Sequence, residues 1–122
     1  MAKAAGVEVV HEIDGIDLVP ALRGGSLDRS SLFWHYPHYS NQGGIPGAAI
    51  REGDYKLIER FEDGRVHLYN LKDDIGELND IAARQPDRVA EMRSRLHEWY
   101  QEVDAKFLQK KDDGPEPWRP RE

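Results

Sequence analysis

Hydrophobic residues recur at three- and four-residue steps near the end of the chain, from Pro86 to Val103. They are Val89, Met92, Leu96, Trp99, Tyr100 and Val103. This spacing places them on one face of an amphipathic α-helix of about five turns. Proline suits the first helical turn, and Asp87 beside it favours the positive end of the helix dipole. The pattern therefore predicts one long C-terminal helix that begins at Pro86.

The central part of the chain carries shorter, β-prone segments separated by turn residues. The first is the run LFWHY, which Pro37 ends because proline cannot donate to a strand ladder. The others are GAAIRE, YKLIERFE and VHLYNL, and their connections hold Gly53 with Asp54 and Asp63 with Gly64. Such residues suit tight hairpin turns. We therefore predict an α+β fold: a small antiparallel sheet of about four strands packed against one long C-terminal amphipathic helix.

The two ends of the chain carry weaker patterns. The motif EIDGIDLVPALRGG predicts a short helical segment that ends at Gly24 and Gly25. Beyond Leu108, the segment QKKDDGPEPWRPRE is rich in proline and charge and has little to bury. We predict a domain over residues 1–108 and an extended or flexible tail over residues 109–122.

With 122 residues, the chain has the size of one domain. Its net charge is −6, and no basic stripe could follow a phosphate backbone, so we expect no nucleic-acid partner. No apolar run approaches the ~20 residues that a membrane span needs, and the first residues lack the apolar stretch of a secretion signal. We expect no membrane partner, and the localisation stays open. The absence of cysteine excludes disulfides, thiolate nucleophiles and cysteine-ligated zinc.

The loop WHYPHYSN concentrates the candidate chemistry, since it holds His35, His38, Tyr39 and Asn41. Flat rings and neutral donors on a loop are suited to holding a polar ligand, and aromatic packing at a strand end is the competing interpretation. Together with His67, the two histidines could ligate a metal. Their spacing matches no ligand pattern, which disfavours a metal site.

The acidic clusters at residues 62–64 and 72–74 fall in predicted turns. We interpret them as turn acids whose carboxylates bond to nearby backbone amides, rather than as catalytic groups. No serine has the glycine spacing of a hydrolase elbow, and no glycine loop that could cradle phosphate opens a helix. The residues taken alone therefore identify no nucleophile.

Four motifs, DGIDLVPALRG, LFWHYPHY, AIREGDYKLI and LYNLKDDIGELNDIA, precede a helix that contains Arg and Trp. The most specific pieces are R-x-G-D-Y-K-L-I at residues 51–58 and L-Y-N-L-x-x-D-x-G-E at residues 68–77. This order resembles the C-terminal subdomain of the sulfatase (arylsulfatase) family over about residues 6–105. The resemblance implies a small antiparallel sheet with one long helix, packed against a larger N-terminal domain that is similar to alkaline phosphatase.

In that family, the larger domain carries a Cys or Ser followed by x-Pro-x-Arg. Oxidation of its first residue to formylglycine creates the group that attacks sulfur beside a calcium ion. None of the prolines of this chain has Cys or Ser two positions before it. The resemblance therefore implies one part of a sulfatase whose full-length relatives, often exported, hydrolyse sulfate esters, with sugars as the expected substrates. We expect this chain to lack the nucleophile and the calcium ligands, to contribute only cleft wall and domain packing, and to be inactive alone.

The resemblance also suggests roles for the loop in contacting a sulfated carbohydrate. His35 and His38 would donate hydrogen bonds to hydroxyl or sulfate oxygens. Tyr39 would offer its ring to a sugar face, and Asn41 would bond a hydroxyl group.

A chain without the catalytic domain would leave one face of its sheet uncovered. We expect that face to be apolar and to pair with a second copy as a homodimer. Two other functions stay open at this stage. One is a stand-alone binding module for anionic or sulfated sugars, and the other is a fragment of a related phosphodiesterase or phosphonate hydrolase.

Overall fold

A computed structural model describes residues 5–8, 10 and 13–120. The chain divides into two compact units, residues 1–30 and residues 31–122. In the first unit, helix α1 (Val19–Leu22) lies within the predicted short helical segment, just before Gly24 and Gly25. Among the described residues, no helix combines the length and the hydropathy that crossing a bilayer would require.

The second unit is an antiparallel sheet with one long helix. Its elements are β1 (Ser31–Tyr36), β2 (Gly47–Glu52), β3 (Tyr55–Arg60), β4 (Val66–Asn70), a short 3₁₀ helix (Ala82–Arg84) and α2 (Pro86–Glu102). The strands lie in the order β1-β2-β3-β4, and each neighbouring pair is antiparallel. The predicted α+β fold is confirmed, including the helix start at Pro86.

Glycines permit both tight connections around β3. Gly53 has φ of +55° and Gly64 has φ of +71°, a backbone conformation that L side chains rarely adopt. Gly64 is constrained further, because the Trp118 indole occupies the space that a Cβ at this position would need. The predicted hairpin turns are therefore confirmed, and the second turn is also a packing site.

Helix α2 covers one face of the sheet and forms the core with it. The core contains the buried residues Ala48, Ile50, Leu57, Phe61, Leu68, Met92, Leu96 and Tyr100. At its edge, Phe33 stacks on Trp99 with ring centroids 4.8 Å apart. The pattern places Val103 on the hydrophobic face of the predicted helix, but α2 ends one residue earlier and Val103 is 49% exposed.

A buried carboxylate joins the helix to the sheet. Glu59 on β3 has no exposed surface. It accepts a hydrogen bond from Arg93 Nε at 2.6 Å and one from the Tyr100 hydroxyl at 3.0 Å. The imidazole Nε2 of His97 lies 3.0 Å from the same carboxylate. Burial, together with the Glu59 charge, raises the pKa of Tyr100, so the hydroxyl stays protonated and donates.

The segment after α2 packs back on the core. Phe107 lies edge-on to Phe61 with ring centroids 5.1 Å apart, and Trp118 stacks on Phe61 at 6.1 Å. Residues 109–120 contain no helix or strand. The domain boundary at residue 108 and the flexibility of the tail stay predictions.

The Glu59 contacts generate a stability prediction. Replacing Glu59 by alanine leaves the buried Tyr100 hydroxyl and the partly exposed Arg93 without their acceptor, and leaving a buried polar group unsatisfied costs about 1–3 kcal/mol. We expect Glu59→Ala to lower the free energy of unfolding by that amount in urea titrations followed by circular dichroism. Glu91→Ala is the matched control, because Glu91 is exposed and pairs with Arg95 on the helix surface. Equal stability of the two variants would contradict the assignment.

Candidate functional site

Of the predicted site residues, His35 lies on strand β1, on the face that α2 covers. Successive side chains of a strand point in opposite directions, so Phe33 and His35 face α2 while Trp34 and Tyr36 face away from it. The His35 ring lies 5.2 Å from the ring of Phe61 and is surrounded by further aromatic side chains. These are Trp99, Tyr100 and Phe107, at 5.6 to 6.5 Å. The aromatic-packing interpretation thus describes the surroundings of His35.

The environment of His35 is apolar. Among the described residues, its buried Nε2 has no hydrogen-bond partner. Burial lowers the pKa of His35, and the nearby charge of His38 lowers it further. The ring is therefore held neutral near physiological pH.

The other three predicted site residues lie in the exposed loop after β1. His38 packs edge-on against Tyr36 with ring centroids 5.4 Å apart. The Tyr39 hydroxyl donates to Glu62 at 3.0 Å, and this hydrogen bond raises the pKa of Tyr39. Asn41 is exposed at the turn that follows. The structure thus brings these three exposed residues to one end of the sheet, whereas His35 is surrounded by the aromatic side chains of the core.

The turn at Asn41 is closed by its own hydrogen bonds. The Ser40 amide donates to the Gly44 carbonyl at 3.1 Å, and the Gly44 amide donates to Ser40 Oγ at 2.8 Å. Gly43 takes a φ of +83°, which glycine adopts without a steric cost. The loop therefore has a defined shape that presents Asn41 to solvent.

A groove of about 440 Å³ crosses the sheet face that α2 does not cover. Residues of β1, β2 and β3 line it, among them Trp34, Tyr36, Gly47, Arg51, Ile58 and Arg60. Its size falls within the range of small-ligand sites in proteins. Because Tyr36 lines the groove and also contacts His38, the groove and the loop are neighbours.

The two most specific sequence motifs meet beside this groove. Lys56 Nζ lies 2.5 Å from Glu77 Oε1, and both side chains are about one-quarter to one-third exposed. The Leu71 amide also donates to the Asp54 carbonyl at 2.7 Å. Glu77 has φ of +55°, a conformation that is uncommon for a non-glycine residue. Tertiary contact between the motifs therefore fixes an unusual loop conformation.

Asp63 and Asp74, which lie in two different turns, bond to nearby backbone amides as predicted for turn acids. Asp74 accepts hydrogen bonds from the Leu78 and Asn79 amides at 3.1 and 2.8 Å, and these bonds lower its pKa. Asp63 likewise accepts the Arg65 amide at 3.1 Å. This confirms the turn-acid interpretation for Asp63 and Asp74.

His67 is held by a carboxylate rather than by other histidines. Its Nδ1 lies 2.9 Å from Asp80 Oδ2, while Asp80 Oδ1 accepts the Leu68 and Ala82 amides. Burial alone would raise the pKa of Asp80, but these hydrogen bonds outweigh it and the pKa is lowered. In the part of the chain that the structure describes, no group of three or more His, Asp or Glu residues could hold a metal ion. The chemistry available in the loop after β1 is therefore that of hydrogen-bonding groups and flat rings, on His38, Tyr39 and Asn41.

A family described as N-sulphoglucosamine sulphohydrolase, C-terminal, has a model that matches residues 1–106. The chain belongs to this family. The resemblance to the C-terminal part of sulfatases that the motifs indicate is therefore confirmed.

Individual relatives agree with this family assignment. A protein named Sulfatase from Formosa agariphila is 34% identical over 116 residues, covering 81% of this chain and 21% of the relative. A Delta 4,5-hexuronate-2-O-sulfatase from Bacteroides thetaiotaomicron is 31% identical over 103 residues, covering 78% and 21%. A solved structure of a protein with its substrate D-glucosamine-2-N,6-O-disulfate has a TM-score of 0.70 and 29% identity, covering 84% and 22%. The chain thus spans about a fifth of the length of these relatives.

The burial of His35 predicts a pH dependence of stability. Its folded pKa lies below the ordinary value of 6.5, so the unfolded chain takes up a proton that the folded chain excludes. Stability should fall as the pH drops through 6.5 towards the folded pKa. We expect His35→Phe to reduce the loss between about pH 7.5 and pH 5, measured by urea unfolding. His38→Phe removes only the smaller cause of the lowered pKa of His35, the charge of His38, so it should keep most of the wild-type dependence. An unchanged dependence in His35→Phe would refute the argument.

Proposed function

We propose that this chain acts as the C-terminal domain of a sulfatase whose larger catalytic domain hydrolyses sulfate esters of sugars. One observation carries the proposal: a C-terminal sulfatase family matches residues 1–106, and the chain spans about a fifth of the length of its relatives. One of those relatives is named as a hexuronate sulfatase, which supports a sugar as the substrate class.

In this proposal, the sulfate ester is cleaved on the catalytic domain. Formylglycine and calcium would supply the nucleophile and the Lewis acid there. This chain has no Cys or Ser two positions before any proline, and its described residues contain no acidic or histidine cluster for a metal ion. We therefore assign no catalytic step to it. Its contributions are a wall of the substrate cleft and packing against the catalytic domain.

The cleft wall in this proposal is the loop after β1. His38 and Asn41 are exposed and can bond hydroxyl or sulfate oxygens, and the Tyr39 ring can lie against a sugar face. The hydrogen bond from Tyr39 to Glu62 holds that ring in place at the end of the sheet. His35 lies near the end of β1, just before the loop, and supports the wall because its ring packs on Phe61 of the core.

The loop also supports a second candidate function, a stand-alone module that binds anionic or sulfated sugars. Hydrogen bonds between Ser40 and Gly44 fix the shape of the loop without help from another domain. A phosphodiesterase or phosphonate-hydrolase parent is less well supported, because the named relatives are sulfatases. Homodimerisation stays a prediction, which light scattering of the isolated chain can test.

The proposal predicts that the purified chain is inactive. We expect no release of inorganic sulfate from an aryl sulfate or from sulfated disaccharides, with or without added calcium, since the groups that cleave the ester lie on another domain. Ion chromatography of the released sulfate measures this, with a full-length sulfatase as the positive control. Steady sulfate release by the chain, free of contaminating hydrolase, would overturn the proposal.

Calorimetric titration with sulfated oligosaccharides separates the two candidate functions. A C-terminal domain that supplies one wall of a shared cleft should show no saturable binding alone. A stand-alone module should bind, and the double variant His38→Ala/Asn41→Ala should lose that binding while Gln42→Ala, in the same exposed loop, retains it.

A further inference from the structure

A tryptophan anchors the segment that follows α2, residues 107–120, which we call the return segment. The Trp118 indole stacks on Phe61 with ring centroids 6.1 Å apart and an angle of 9° between the ring planes. Phe107 lies edge-on to the same indole at 6.5 Å. Trp118 is thereby partly buried against the core. The family match ends at residue 106, so this anchor lies outside the residues that the family matches.

The indole of Trp118 packs on the β3–β4 turn. Gly64 in that turn is buried, and a Cβ at this position would clash with the indole, so glycine leaves the room that the ring occupies. The Gly64 amide donates to the Arg60 carbonyl at 2.9 Å, and Arg93 Nη2 donates to the Gly64 carbonyl at 3.3 Å. Trp118 therefore covers a turn that is already bonded to the sheet and to α2.

The same turn holds the loop after β1 at both ends. The Glu62 carboxylate accepts the Tyr39 hydroxyl at 3.0 Å near the start of the loop. At its end, the Pro46 carbonyl accepts the Phe61 amide at 3.0 Å. A hydrogen bond that is exposed to water contributes little alone, because water competes for both partners. The exposed bond to Tyr39 therefore depends on how firmly the turn holds Glu62.

The return segment is suited to holding its tryptophan in place. Lys110 Nζ lies 2.6 Å from Glu116 Oε1, and this ion pair closes the chain reversal before Trp118. Pro117 and Pro120 stand on either side of the anchor. Proline fixes its own φ, which reduces the conformational entropy that the segment loses when it packs on the domain.

We propose that Trp118 is a positioning residue for the loop after β1. It fixes the β3–β4 turn, and the turn fixes the loop through Phe61 and Glu62. This inference rests on the proposed function, in which that loop is the cleft wall that contacts the sugar. A loop that is ordered before binding loses less conformational entropy when the ligand arrives. The return segment thus contributes to recognition without touching the sugar.

The variant Trp118→Ala tests the proposal in the full chain. We expect amide hydrogen exchange, read by mass spectrometry, to become several-fold faster in residues 37–46 and 60–65, while the centre of α2 stays protected. The hydrogen bond to Glu62 raises the pKa of Tyr39 above its ordinary value of 10.0. In the variant, an NMR titration with ¹³C-labelled tyrosine should show the pKa of Tyr39 falling towards 10.0.

Three further variants make the result specific. Glu62→Ala removes the acceptor directly and should lower the pKa of Tyr39 in the same way. Trp118→Phe keeps a ring that can stack on Phe61, so it should restore most of the wild-type exchange and pKa. Gln109→Ala, at an exposed position of the return segment, should change neither quantity.

The outcomes separate this inference from the proposed function. Unchanged loop exchange and an unchanged pKa of Tyr39 in Trp118→Ala would overturn the inference and leave the proposed function standing. Equally faster exchange throughout the sheet and α2 would also overturn it, since Trp118 would then support only global stability.

The link to recognition is measured in a fusion in which this chain replaces the matching region of the full-length Formosa agariphila sulfatase. There, Trp118→Ala should raise KM for a sulfated disaccharide several-fold and leave kcat nearly unchanged, because Trp118 positions the loop and takes no part in cleavage. A loosened loop with an unchanged KM would overturn the cleft-wall function, and with it the role of Trp118 in recognition.

Discussion

The Glu59 carboxylate fixes the position of helix α2 on the sheet. A charge without solvent contact is stable only when it is paired and hydrogen-bonded, and Glu59 obtains all of its observed side-chain partners from one helix. Arg93 also donates to the Gly64 carbonyl at 3.3 Å, so the same contact reaches the β3–β4 turn. Apolar packing alone would allow the helix to shift along the sheet, whereas these directional bonds select one arrangement.

The position of α2 determines which face of the sheet is buried and which stays exposed. On the covered face, Phe33 and His35 pack among the aromatic residues of α2 and the segment after it. On the other face, Trp34 and Tyr36 stay half-exposed beside basic side chains. A small domain that keeps one aromatic face uncovered is suited to packing against a larger partner. This agrees with a family whose members are several times longer than this chain.

In the proposed function, this chain contacts the sugar, whereas the catalytic domain cleaves the sulfate ester. The chain offers an exposed loop with His38 and Asn41 at one end of the sheet, next to the groove on the face that α2 does not cover. Tyr36 contacts His38 and also lines the groove, so the loop and the groove lie side by side. In this way, a domain without a nucleophile can shape the cleft in which another domain cleaves the sulfate ester.

The sequence by itself determined the four strands, their glycine turns, the long helix and the family, because periodicity and local turn chemistry are encoded by nearby residues. Side chains at every second position of a strand point to the same face, so the buried Leu57 and Phe61 on either side of Glu59 already indicated that its carboxylate is buried. Only the tertiary structure decided which face of β1 is covered, since both faces are aromatic. It likewise decided the partners of Glu59, which lie 34 to 41 residues away. Residues so distant in sequence meet only when the helix packs on the sheet, and no local pattern specifies that contact.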